Sequence, residues 1–327
     1  MASAQATAGT GLPVTIDGEQ LRSLVAMPDA IEASRRGFAA AANGEVTGSL
    51  RSALSQHRVL VMPVEHRSGD ALVKVISVQP SGWKEGLPSV GGGALWIDGG
   101  TGRITAMLDA TALTAMRTGA ASGLATGLLA PPEASVLAML GAGGQAADQV
   151  DAVCAVRPIR QIRVFSRGQG RRETLSAQLA ARYPRASVLP VAQSAEAVRG
   201  ADVICAATRS RSPLFALTDL GENVHINAVG AYDLSMCEVP PEAFGQAAIV
   251  VIDQMEAAMA EAGDVVQAIS AGMLRPEGLV EIGRLLDGRQ PPAGGITIFK
   301  SVGIAAQDWA LAELVVRRAG TSPGSLA

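Results

Sequence analysis

Val136-Leu137-Ala138-Met139-Leu140-Gly141-Ala142-Gly143-Gly144-Gln145-Ala146 is the stretch on which the fold turns. Five apolar residues that end at a glycine are too few for a helix and read as a buried strand. A residue run of helical composition follows the glycines. The spacing is the G-x-G-x-x-A form of a dinucleotide-binding turn. Gly141 permits the tight turn, Gly143 lets backbone approach a pyrophosphate, and Ala146 lets helix and strand pack closely. The helix N-terminus then offers backbone N–H groups to phosphate oxygens. A glycine-rich turn after a buried strand can be no more than a turn. The strand–turn–helix context favours a cofactor site made from Gly141, Ala142, Gly143, Gly144, Gln145 and Ala146.

Downstream, short apolar runs recur at Ile162–Phe165, Val188–Pro190, Val203–Ala206, Ile226–Val229 and Ile249–Ile252, separated by segments of helical composition. That alternation predicts an α/β domain, a doubly wound parallel sheet of Rossmann type, over 120–295. An NAD site wants an acidic residue about 20 residues beyond the turn. Here the second strand ends in Ser166-Arg167, with Arg171 and Arg172 close behind. Guanidinium suits a 2′-phosphate, so NADP(H) is favoured, with NAD as the lesser option. The bland alternative is a solvated helix start. Thr208 follows the buried run Val203–Ala207, where ligands of open α/β sheets bind, and is expected to line the nicotinamide pocket.

Upstream the pattern differs. Leu21, Leu24, Val25, Ile31 and Phe38 recur at helical spacing, interrupted at Pro28. Val59–Met62, Ala71–Val78, Ala94–Ile97 and Ile104–Leu108 then read as strands, the last two joined by the hairpin signal Asp98-Gly99-Gly100-Thr101-Gly102. A small-residue helix over Thr111–Ala130 ends at Pro131-Pro132. The tail returns to a strand, Ile296–Phe299, and a helix from Gly303 to about Arg318. An α+β substrate and dimerisation domain is expected from 1–119 and 296–327. Lys74 interrupts an apolar strand, where a lysine is costly unless paired or functional.

Composition narrows the function. The 327 residues carry 27 Lys+Arg against 30 Asp+Glu, a net charge of −3, with no basic block, which speaks against nucleic acid. Aromatic residues at 3% leave little for a base-stacking platform. No stretch reaches the ~18 apolar residues of a membrane span, and Met1–Thr7 lacks the features of a signal peptide. Cys154, Cys205 and Cys237 are too few and scattered for a disulfide framework, and Cys205 and Cys237 read as small packing residues. His57, His66 and His225 have no metal-ligand spacing, so no metal is expected. A cytoplasmic, soluble, globular protein is the resulting expectation.

Asp109-Ala110-Thr111-Ala112-Leu113-Thr114-Ala115-Met116-Arg117-Thr118-Gly119-Ala120-Ala121 resembles the D-x-x-x-L-T-x-x-R-T-x-A-A pattern of the ornithine cyclodeaminase/mu-crystallin family. Val73-Lys74-Val75, Gly86-Leu87-Pro88, Glu261-Ala262-Gly263-Asp264 and Thr297–Gly303 with Asp308 agree with it, in order. The resemblance implies an NAD(P)-dependent enzyme acting on amino acids or their cyclic imines, and a homodimer. It implies that Arg51, Lys74 and Arg117 hold the substrate carboxylate and flank the reacting carbon, with Gly303 beside them. It also places Thr118, Val229 and Gly230 at the cofactor.

One departure bears on the reaction. Ornithine cyclodeaminases carry an aspartate where this chain has Tyr232, and Asp233 comes one residue late. The Gly230-Ala231-Tyr232 pattern resembles the branch that reduces 1-pyrroline-2-carboxylate and 1-piperideine-2-carboxylate. Tyr232 reads as a pocket wall or a proton donor. Ketimine reduction is the leading expectation. A cyclising lyase, reductive amination of a 2-oxo acid, and a non-catalytic binder of a small acid are the alternatives.

Overall fold

The computed structural model describes residues 12–54, 59–78, 90–286, 288, 292 and 294–320. Met1–Thr7, His57 and Gly86-Leu87-Pro88 lie outside them. The first sheet is built from β1 (Val14–Ile16), β2 (Val46–Gly48), β3 (Ser52–Leu54), β4 (Val59–His66), β5 (Ala71–Val78), β6 (Val90–Ile97) and β7 (Ile104–Asp109), in the order β1-β7-β6-β5-β4-β2 with β3 also on β4. All its pairings are antiparallel except β1 with β7. Period-two alternation sends Leu60, Met62, Val64, Leu72, Ile76, Trp96, Ala106 and Leu108 to one buried face. Lys74 stands in that same row, between Leu72 and Ile76. The helices α1 (Gly18–Leu24), α2 (Met27–Ala42) and α11 (Ala305–Arg318) belong to this half of the molecule. The break at Pro28 puts the proline in the first turn of α2, where its missing N–H costs nothing.

The second sheet is parallel throughout. Its strands β8 (Val136–Leu140), β9 (Gln161–Phe165), β10 (Ser187–Val191), β11 (Val203–Ala206), β12 (Val224–Ala228), β13 (Ala247–Ile252), β14 (Leu279–Glu281) and β15 (Ile296–Lys300) lie in the order β10-β9-β8-β11-β12-β15-β13-β14. Sequence order reverses between β8 and β11, which opens a crevice at their carboxyl ends. The doubly wound reading is therefore correct. So are the runs at Ala71–Val78, Val136–Leu140 and Val203–Ala206, to the residue.

The expected domain limits differ from the observed sheets in two places. Ile296–Lys300 lies between β12 and β13 in the second sheet, not with the first domain. All five of its residues are buried, as a central strand of a parallel sheet requires. The limit at 119/120 falls inside α3 (Ala110–Leu129), a helix with 17 buried residues that packs on α2, on α4 (Ala146–Val156) and on both sheets. A helix apolar all round is a core helix, and this one belongs to both halves. The last helix begins at Ala305, because Gly303 has φ +87° and cannot be helical. No helix among the described residues is long and apolar enough to cross a membrane.

Candidate active site

Three elements bring the charged residues together. From β5, Lys74 Nζ reaches Asp308 Oδ2 at 2.5 Å, both side chains essentially without exposure. From α3, Arg117 Nε donates to Asp308 Oδ1 at 3.2 Å, and its Nη1 to Gln307 Oε1 at 3.2 Å. Asp308 and Gln307 sit in the first turn of α11. Arg51 lies against the same place: its Nη2 donates to the carbonyl oxygens of Val302 and Gly303 and pairs with Glu261 at 2.8 Å. Gly303 is where all this meets. A Cβ there would fall 2.2 Å from Arg117 Nη1, so only glycine lets the guanidinium lie on this turn.

Burial tunes these groups. Desolvation lowers Lys74 to about 8, Asp308 opposes that, and Arg117 and Arg51 add to it. Burial likewise holds Glu261 above the usual carboxylate range, against the pull of Arg51. Three cations, Lys74, Arg117 and Arg51, thus stand among three carboxylates, Asp308, Glu261 and Asp253, the last buried and accepting the N–H groups of Val302 and Gly303 at 2.9 and 2.7 Å. The planar forks of the two arginines suit a substrate carboxylate placed beside them.

The residues expected at the cofactor line the carboxyl edge of the second sheet. Gly141 leaves β8 with φ +115°, and a Cβ would fall 2.6 Å from the Ala207 carbonyl oxygen. At Gly143 and Gly144 a Cβ would meet nothing within 4 Å, and no side chain caps α4 at Gln145. The turn thus presents open backbone and an uncapped helix start, which fits a pyrophosphate. Ala142 and Ala146 flank it, Ala146 buried in the core. At the end of β9, Ser166 is half-buried and accepts a bond from Arg172 at its carbonyl, while Arg167 and Arg171 stand exposed beyond it. On the other side of the crevice lie Thr208 after β11, and Val229 and Gly230 after β12.

Two expected residues sit differently from the rest. The Thr118 hydroxyl is buried and donates to the Thr114 carbonyl within α3 at 2.7 Å, so the described structure gives it a helical role. Tyr232 is half-buried just past Ala231, and Asp233 is exposed, turned back onto Ser235. His225 is buried between Thr297 and Asn227, and burial lowers it to about 4, so it stays neutral. Burial pushes the Cys205 and Cys237 thiols up to about 12, as befits packing residues. Asp308 and Gln307 were the residues that sequence reading undervalued. The available signal was an acid and an amide opening the otherwise apolar face of a helix.

The fold recurs in proteins already known. A family model described as the ornithine cyclodeaminase/mu-crystallin family matches residues 15–322. The chain belongs to that family. Among its relatives, a Delta(1)-pyrroline-2-carboxylate reductase of Bacillus cereus is 32% identical over 320 residues, 94% of this chain and 96% of the relative. The structure of the Thermococcus litoralis Delta(1)-pyrroline-2-carboxylate reductase, in complex with NADH and L-proline, superposes with a TM-score of 0.88 at 31% identity, covering 94% of this chain and 97% of that one. An archaeal alanine dehydrogenase dimer with bound NAD gives 0.84 at 29% identity, covering 94% and 96%. Members at about 30% identity thus include pyrroline-2-carboxylate and ketimine reductases, alanine dehydrogenase and ornithine cyclodeaminase, and the family is one of NAD(P)-dependent oxidoreductases. The neighbours named here carry NADH or NAD.

Proposed function

We propose that this chain is an NADPH-dependent reductase of cyclic ketimines bearing a 2-carboxylate, forming L-proline from 1-pyrroline-2-carboxylate and L-pipecolate from 1-piperideine-2-carboxylate. The observation that carries this reading is the buried Lys74–Asp308–Arg117 cluster seated on Gly303. Arg117 and Arg51 anchor the carboxylate, and Asp308 and Gln307 fix the plane of the Arg117 guanidinium. That anchoring sets the ring against the crevice in a near-attack geometry. Lys74, protonated below about 8, holds the proton that the ring nitrogen takes up as the neighbouring carbon is reduced. The dinucleotide, when bound, supplies the hydride. Gly141–Ala146 would hold its pyrophosphate, and Thr208, Val229 and Gly230 its nicotinamide side. Preference for NADPH rests on Ser166 and Arg167, with Arg171 and Arg172 close behind.

The assembly is a homodimer in this reading. The outer face of the first sheet carries the row Pro63, Val73, Leu95 and Met107, paired across four strands and left partly open to solvent. A second copy of the same face would cover it, and the archaeal alanine dehydrogenase neighbour is a dimer. The free cysteines agree with a cytoplasmic setting.

The test is a spectrophotometric screen of NADPH and NADH with both cyclic imines, and with 2-oxo acids plus ammonia. Oxidation of NADPH with an imine, in the absence of ammonia, is expected. Turnover only with ammonia would assign reductive amination. Ammonia release from L-ornithine with catalytic NAD would restore the lyase reading, against which the tyrosine at 232 stands.

A further inference from the structure

We propose that Glu238 is a positioning residue for the nicotinamide half of the cofactor: its carboxylate clamps the two loops that form that side of the crevice. This rests on the cofactor reading above. Glu238 lies in the segment after β12, fully buried. Its Oε1 accepts the backbone N–H of Thr208 at 2.5 Å, and its Oε2 accepts those of Gly230 at 2.7 Å and Ala231 at 3.0 Å. One carboxylate thus ties the loop after β11 to the loop after β12. Gly230 makes the approach possible, since a Cβ there would fall 2.2 Å from the Thr208 carbonyl oxygen and 2.6 Å from Glu238 Oε1.

The clamp is itself braced. Asp264, at the start of α9 (Gly263–Ser270), accepts the N–H of Glu238 at 2.6 Å and of Val239 at 3.1 Å. Lys300, at the end of β15, donates to Asp264 Oδ2 at 2.7 Å and to the Ala231 carbonyl at 2.6 Å. All three side chains are without exposure. Burial first, and Asp264 second, push the Glu238 carboxyl up to about 7, with Lys300 opposing. A carboxylate kept where it is this costly is better explained by a task than by packing.

The placement decides which task. The glycine turn of β8 and the end of β9 serve the phosphates and the adenosine side, while β11 and β12 lie across the switch point and serve the other half of a dinucleotide. Glu238 touches only the latter. Glutamine is isosteric but has one carbonyl oxygen, and its amide N–H₂ would face a backbone donor.

The experiment compares Glu238→Gln with wild type for binding of two ligands by calorimetry. They are NADH or NADPH, whichever wild type binds more tightly, and the ADP-ribose or 2′-phospho-ADP-ribose fragment that lacks its nicotinamide. The expected result is at least tenfold weaker binding of the full dinucleotide, with fragment affinity unchanged within about twofold. Equal weakening of both ligands, or of neither, would overturn the proposal. Should the variant fail to fold, amide hydrogen exchange on wild type serves instead. Full dinucleotide should slow exchange at 208, 230 and 231 beyond what the fragment does, and identical exchange with either ligand overturns the clamp. Failure of wild type to bind any of these ligands would sink the cofactor reading itself, and the proposal with it.

Discussion

Lys74 keeps an ammonium group wholly away from water, held by one carboxylate and pressed by two guanidinium groups. Its proton is therefore released near pH 8 rather than above 10. Because reduction consumes that proton, kcat for imine reduction should fall about tenfold per pH unit above 8, while the reverse oxidation rises over the same range. A rate of reduction level to pH 10 would remove Lys74 from proton transfer. Lys74→Ala should abolish turnover and leave dinucleotide affinity nearly unchanged. At the far end of the crevice, Arg167→Ala should weaken NADPH by ~10- to 150-fold, the worth of a charge-assisted bond of about 1.5–3 kcal/mol, and leave NADH nearly alone. Ser166→Asp should go further, since a carboxylate repels the phosphate and accepts from ribose hydroxyls. Equal loss of both cofactors on titration would reduce Arg167 to a solvated charge.

The element that links these sites is α3. Its N-cap is Asp109, whose Oδ1 accepts the N–H groups of Thr111 and Ala112 at 2.7 and 3.0 Å. Eight residues on, Arg117 enters the charged cluster. Two further on, Gly119 lets α4 approach so closely that a Cβ would fall 2.5 Å from the Asp148 carbonyl oxygen. Arg22 of α1 closes on the Asp148 carboxylate through two bonds, at 2.6 and 3.0 Å. The motif is thus a cap, a ligand and a close helix crossing in one segment. Asp109→Ala should cost ~1–2 kcal/mol, lowering Tm by a few degrees in a thermal melt, and Asp109→Asn should restore most of it. If the asparagine variant melts as low as the alanine one, capping is not what Asp109 supplies. Strand β6 was harder to see, because Gly91, Gly92 and Gly93 depress strand propensity in its first half, and pairing with β5, joined at Gly93 by β7, holds them extended.

At the scale of the molecule, β15 is the hinge between sequence and site. It completes the second sheet, and its last residue braces Asp264. Gly303 then turns the chain into α11, which crosses to the first sheet and delivers Asp308 to Lys74. The same sheet turns an apolar row outward, with Met107 42% exposed. In a symmetric dimer like charges would meet across that face. Met107→Glu should therefore convert the proposed dimer to monomer in sedimentation at micromolar protein, with the circular dichroism spectrum unchanged. A wild-type chain that sediments as a monomer would contradict the assembly proposed here.

What the sequence alone determined is what short-range physics encodes. The glycine turn, the parallel sheet, the helix around Arg117 and the strangeness of a lysine at 74 are legible because backbone conformation and the cost of burying charge act on neighbouring residues. Only the tertiary structure decided that Lys74 pairs with Asp308, 234 residues away, that β15 joins the second sheet, and that Glu238 bridges two loops. Those contacts join segments whose partners no local period specifies, and packing of the two sheets around α3 selects them.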